Sequence, residues 1–138
     1  MVTDRVRDAM VSDPRALSGT ASARDAGELL IRPEVRAVFV VDGDRLAGIV
    51  TRKTLVARVV AEGRDPTTTA LASISEEPRY TIGPDVPLEE AFRFLEEHDA
   101  ERVPVVEDGR LIGVLSRSVL QRRLAEDEEP PAPEGDLS

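Results

Sequence analysis

Residues 6–59, slid along the chain by 65 positions, fall on residues 71–124 without a gap. Ala26 meets Ala91 and Leu30 meets Leu95. Val38, Val40 and Val41 meet Val103, Val105 and Val106. Gly48 meets Gly113, Arg52 meets Arg117 and Leu55 meets Leu120, while Thr51 meets Ser116 and so keeps its hydroxyl. A constant offset through glycine, arginine and leucine landmarks marks one supersecondary unit written twice. Each copy then buries its apolar face against the other. This reading divides the chain into a first repeat at 1–62, a second at 63–125 and a tail at 126–138.

Each copy predicts the order β-α-β-β-α. A short apolar segment, 16-AL-17 or 80-YTI-82, opens it. A helix follows, over 22–32 or 86–98. In the second copy Asp85 is placed to cap that helix, with Pro87 in the first turn and Glu89 and Glu90 where the macrodipole favours negative charge. Leu88, Ala91, Phe92 and Leu95 recur at helical spacing and form a buried stripe. Strands at 38–41 and 103–106 lead into the turns 42-DGD-44 and 107-EDG-109, where glycine tolerates positive φ. Return strands at 45–50 and 110–115 end at Thr51 or Ser116, where a second helix begins.

Composition narrows the function classes. Aromatics are 3% of the chain against 41% hydrophobic residues, so the core must be aliphatic. A net charge of −9 repels phosphate backbones and argues against nucleic-acid binding. The absence of cysteine excludes disulfides and thiolate chemistry, and one histidine, His98, gives no cluster of metal ligands. The opening MVTDRVRDAMVSDPRA is charged and does not read as a signal peptide, and no run approaches a membrane span. These features point to a cytoplasmic protein with no membrane insertion. The tail EDEEPPAPEGDLS is acidic and proline-rich, a composition expected to stay disordered. His98, the Glu89–Glu90 pair and the Glu96–Glu97 pair read as solvated helix positions, and no nucleophile–base arrangement or phosphate-binding glycine loop is present.

The stretches 48-GIVTRKTL-55 and 113-GVLSRSVL-120 carry the chemistry that remains. Each is a strand-to-helix corner. Backbone N–H groups at a helix start, a hydroxyl from Thr51 or Ser116, and a guanidinium from Arg52 or Arg117 together suit a phosphate. The same hydroxyls serve equally as helix caps, and the arginines as solvated surface residues.

In order and twice over, 38-VFVVDGDRLAGIVTRKTL-55 and 103-VPVVEDGRLIGVLSRSVL-120, with 6-VRDAM-10, resemble a tandem pair of CBS domains, the modules named after cystathionine β-synthase. The resemblance implies an α+β fold: two β-α-β-β-α repeats about a pseudo-twofold axis, strands central and helices outside. It implies a homodimer. It also implies adenosine-containing ligands (AMP, ATP, NAD or S-adenosylmethionine) in clefts between the units, no required cofactor, no catalysis, and a regulated protein partner. By this resemblance Thr51, Arg52, Thr54, Ser116 and Arg117 would meet phosphate and ribose. Leu17, Ala37 and Val38, with Ile82, Arg102, Val103 and Pro104, would line the base pocket, although each also suits core or rim packing.

Nucleotide-binding members place an aspartate three residues after the corner hydroxyl. Here those positions hold Thr54 and Val119. Thr54 keeps one hydroxyl for a ribose, which makes the first corner the better candidate, and Val119 keeps none. The departure leaves a second reading open, a ligand-free dimerisation and interaction scaffold.

Overall fold

The structure is a computed structural model that describes residues 4–12 and 14–127. A short helix α1 (Val6–Ala9) opens the chain. Then follow β1 (Ala16–Ser18), α2 (Ala23–Leu30), β2 (Val38–Asp42), β3 (Arg45–Val50) and α3 (Arg52–Leu55), which widens into a π-type turn over Val56–Val60. The second half has a 3₁₀ turn (Leu71–Ser73), α4 (Leu88–Glu97), β4 (Arg102–Glu107), β5 (Arg110–Ser116) and α5 (Arg117–Asp127). The strands form one sheet in the order β1-β2-β3-β5-β4, joined between the halves by the pairing of Arg45 with Arg110.

The repeat is visible in the hairpins. Both are closed by two-residue turns, with positive φ at Gly43 in one and at Asp108 and Gly109 in the other. Both bulge at equivalent places, between Val40 and Val41 and between Val105 and Val106.

Two aliphatic cores form, and each borrows its opening segment from the other half. Val6 and Ala9 pack with Ile82, Leu88, Ala91, Leu95, Val103, Val105, Leu115 and Leu120. Leu71 and Ile74, which stand 65 positions after Val6 and Ala9, pack with Ala23, Ala26, Leu30, Val38, Val40 and Val50. The exchange explains the recurrent glycine of the two corners. Val11 bridges to Val114 across β5, and Glu76 bridges to Ile49 across β3. A methyl group at Gly113 would fall 2.7 Å from Met10 Sδ and from the Val11 carbonyl, and one at Gly48 would fall 2.7 Å from Ser75 Cβ. Glycine stands where the exchanged segment crosses the return strand.

Three local expectations are corrected. Asp85 does not cap α4. Pro87 holds the cap position, without a side-chain cap bond, and the Leu88 amide donates to the Asp4 carbonyl at 3.2 Å. The exchanged amino-terminal segment thus does the capping, while Asp85 accepts from the Arg7 guanidinium at 3.0 Å. The segment 80–82 is not a strand but a single parallel bridge from Ile82 to Val105. In the first copy the Phe39 amide donates to the Arg15 carbonyl, which extends the ladder. Its counterpart is Pro104, which has no N–H to donate. Finally, the second helix of the first copy does not continue as an α-helix past Leu55: the π-type turn buries Val59 and leaves Val56 and Val60 exposed. The tail expected from residue 126 begins inside α5, and from residue 128 it lies outside the described residues.

The Val11 carbonyl is backbone and cannot swing aside as the Met10 side chain can, so Gly113→Ala is expected to destabilise the fold by about 1–3 kcal/mol through overpacking. Urea unfolding measures this; an unchanged midpoint would contradict a tight crossing.

Candidate functional site

The two corners fold alike and end differently. At the first, Thr51 Oγ1 accepts from the Thr54 amide at 3.3 Å, and Thr54 Oγ1 accepts from the Thr51 amide at 3.0 Å. This reciprocal capping box uses both hydroxyls, and Thr54 is 2% exposed. Arg52 turns back and donates to the Arg32 carbonyl at 2.7 Å. At the second corner Val119 cannot return the bond. Its amide reaches Ser116 Oγ only at 3.5 Å, and Ser116 Oγ lies 3.0 Å from Ser118 Oγ. Arg117 is held by Asp99 at 3.4 Å and Glu101 at 3.6 Å. The first corner is thus closed by its own groups, and the second leaves hydroxyls at the surface.

That second corner opens on a cleft of about 700 Å³. Pairs of residues 65 positions apart line it: Arg36 with Glu101, Ala37 with Arg102, and Ile49 with Val114. The cleft therefore lies where the two copies face each other across their axis. Phe39, Val35 and Val114 give it an apolar wall. Arg15, Arg36 and Arg102 place three exposed guanidinium groups around it, and Arg102 is the cross-strand partner of Ser116. Among the described residues none of the three makes a side-chain hydrogen bond or ion pair. Glu34 and Glu101 add two carboxylates, the second drawn toward Arg117.

Of the residues singled out from the sequence, Ala37, Arg102 and Ser116 meet in this cleft. Val38, Ile82 and Val103 are core residues, Leu17 packs against the first core, and Pro104 is buried in β4. Arg15, Arg36 and Ser118 were not foreseen. Their signal was faint: Arg15 and Arg36 precede β1 and β2 of the first repeat, and such flanking positions look like ordinary surface.

The pKa shifts with a structural cause fall elsewhere. Asp65 is lowered by hydrogen bonds from the Thr67 hydroxyl and then its amide. Arg7 is raised by its hydrogen bond to Asp85 and then by that carboxylate's charge. Among the described residues no group of three or more His, Asp or Glu side chains could hold a metal, and no helix is long and apolar enough to cross a membrane.

Two repeats with exchanged openings and a mixed polar and apolar cleft between them define a tandem α+β module. The CBS domain model matches residues 6–61 and 71–126, and the chain belongs to the CBS-domain family. Hypoxic response protein 1 of Mycobacterium tuberculosis is 32% identical over 85 residues, covering 62% of this chain and 59% of that relative, so less than two thirds of its length is matched. Among solved structures, the AcuB protein of Vibrio cholerae has a TM-score of 0.80 at 26% identity, covering 94% of this chain and all of its own. CBSX2, solved in complex with AMP, has a TM-score of 0.74 at 26% identity, covering 91% and 99%. A hexameric CBS-CP12 protein from bloom-forming cyanobacteria scores 0.66 at 27% identity, covering 94% and 77%. Proteins of this family are generally regulatory and non-catalytic.

Thr54→Val removes the acceptor for the Thr51 amide and is expected to cost about 1–2 kcal/mol in urea unfolding. An unchanged unfolding midpoint would contradict a stabilising role for the capping box.

Proposed function

We propose that this chain is a non-catalytic regulatory module, residues 1–62 and 63–125 forming its two repeats, which takes an adenosine-type nucleotide in the cleft on their axis. One observation carries the reading: Ala37, Arg102 and Ser116 converge there with two further guanidinium groups and an apolar wall. A volume of about 700 Å³ is in the range of small-molecule sites. The AMP bound by CBSX2 supports the ligand class.

A nucleotide in this cleft touches both repeats, so it favours one angle between them. It shifts that angle only as far as it binds one arrangement better than the other. We place the readout in a cytoplasmic homodimer whose shape a partner protein senses. Ile31, Val56 and Val60 are 81%, 59% and 72% exposed. Of these, Ile31 and Val60 border, with Gly27, Leu55 and Val59, an apolar groove between α2 and the π-type turn. Such a surface suits burial against a second copy, and the hexameric CBS-CP12 neighbour supports self-association. The same groove favours the second reading, a scaffold that dimerises without a ligand.

Thermal melting against AMP, ADP, ATP, NAD and S-adenosylmethionine, with light scattering on the same samples, separates the two. A ligand at 100 times its Kd adds about 2.7 kcal/mol, a shift of several degrees. The expected result is a dimer mass with a nucleotide-dependent shift that Ser116→Ala and Arg102→Ala reduce. A dimer that no nucleotide stabilises leaves the scaffold, and a monomer overturns the dimer.

A further inference from the structure

We infer that the cleft selects its ligand by phosphate number, with Arg15, Arg36 and Arg102 holding a di- or triphosphate chain in preference to uncharged or cationic adenosyl compounds. This rests on the reading of the cleft as a nucleotide site. The three residues come from separate places in the fold: Arg15 just before β1, Arg36 just before β2, and Arg102 at the start of β4. Among the described residues none of the three makes a side-chain hydrogen bond or ion pair, whereas several other arginines do. Arg7, Arg24, Arg58, Arg110, Arg117 and Arg123 each meet a carboxylate. In a chain of net charge −9, three guanidinium groups around one cavity are a local reversal of sign.

Their mutual repulsion is relieved by an anion, and each adds charge-assisted hydrogen bonds to phosphate oxygens. A monophosphate gathers its terminal oxygens at one point, whereas the three arginines come from separate parts of the rim. A phosphate chain reaches them in turn, and the Ser116 and Ser118 hydroxyls lie beside Arg102 to receive it. The nucleoside then faces Ala37, Phe39 and Val114. The cations of S-adenosylmethionine would meet three like charges. Glu34 is the one carboxylate of the rim without an arginine partner among the described residues, and it sets the limit on this preference.

Calorimetric titration of the full chain with adenosine, AMP, ADP, ATP, S-adenosylmethionine and inorganic triphosphate, at low and high salt, tests the inference. Affinity is expected to rise roughly tenfold with each added phosphate, the scale of one charge-assisted contact. The gain is expected to shrink at high salt. Arg15→Gln, Arg36→Gln and Arg102→Gln are expected to flatten the series, the ratio of ATP to AMP affinity falling toward one. Their unliganded melting temperatures, read alongside, are expected to match the parent, since all three side chains are exposed. Equal affinity for AMP and ATP, or tighter binding of S-adenosylmethionine, overturns the inference and leaves the nucleotide reading standing. Triphosphate binding as tightly as ATP supports the arginine triad and overturns the adenosine part. Silence from every compound overturns both.

Discussion

The structure depends on a reciprocal exchange. Val6 and Leu71, equivalent residues of the two repeats, are each fully buried in the other repeat's core. Burying an aliphatic side chain of this size contributes about 1.5–3 kcal/mol. Neither core is complete without the segment that crosses into it, so the repeats must fold as one body. The same crossing requires glycine at 48 and 113. It supplies the Asp4 carbonyl that receives the first amide of α4, and it carries the chain past β5 so that Arg15 arrives at the cleft.

A repeated unit makes every feature twice, and divergence decides which copy keeps a use. Thr54 returns the hydrogen bond of Thr51 and seals the first corner, whereas Val119 leaves Ser116 with a long bond and a neighbouring hydroxyl. Ala37 and Arg102 occupy equivalent positions on the same cleft, one small and one cationic. The outcome is a symmetric scaffold around an asymmetric rim. A ligand on the axis reports to both repeats at once, which is the geometry a regulatory module needs.

Much of this was legible in the chain. The constant offset foretold two equivalent units, and the helical stripe Leu88, Ala91, Leu95 and the β-hairpin turns lie where their spacing puts them. What escaped were features set by tertiary contact. Asp85 looks like a helix cap until a distant carbonyl takes the amide it would have received. The segment 80–82 looks like a strand until Pro104 withholds its N–H. Thr54 reads from the sequence as a hydroxyl open to a ribose, because a sequence does not show that the side chain is buried in a capping box with Thr51. Arg15 and Arg36 look like surface because nothing local says which cleft they border.

On the proposed reading a nucleotide enters the cleft between the repeats rather than the first corner. Backbone amide chemical shifts of the isotope-labelled chain, followed during ATP titration, separate the two places. Saturable shifts are expected at residues 36–37, 101–102 and 114–118, with 51–54 undisturbed. Shifts centred on Thr51 and Thr54 would contradict that reading.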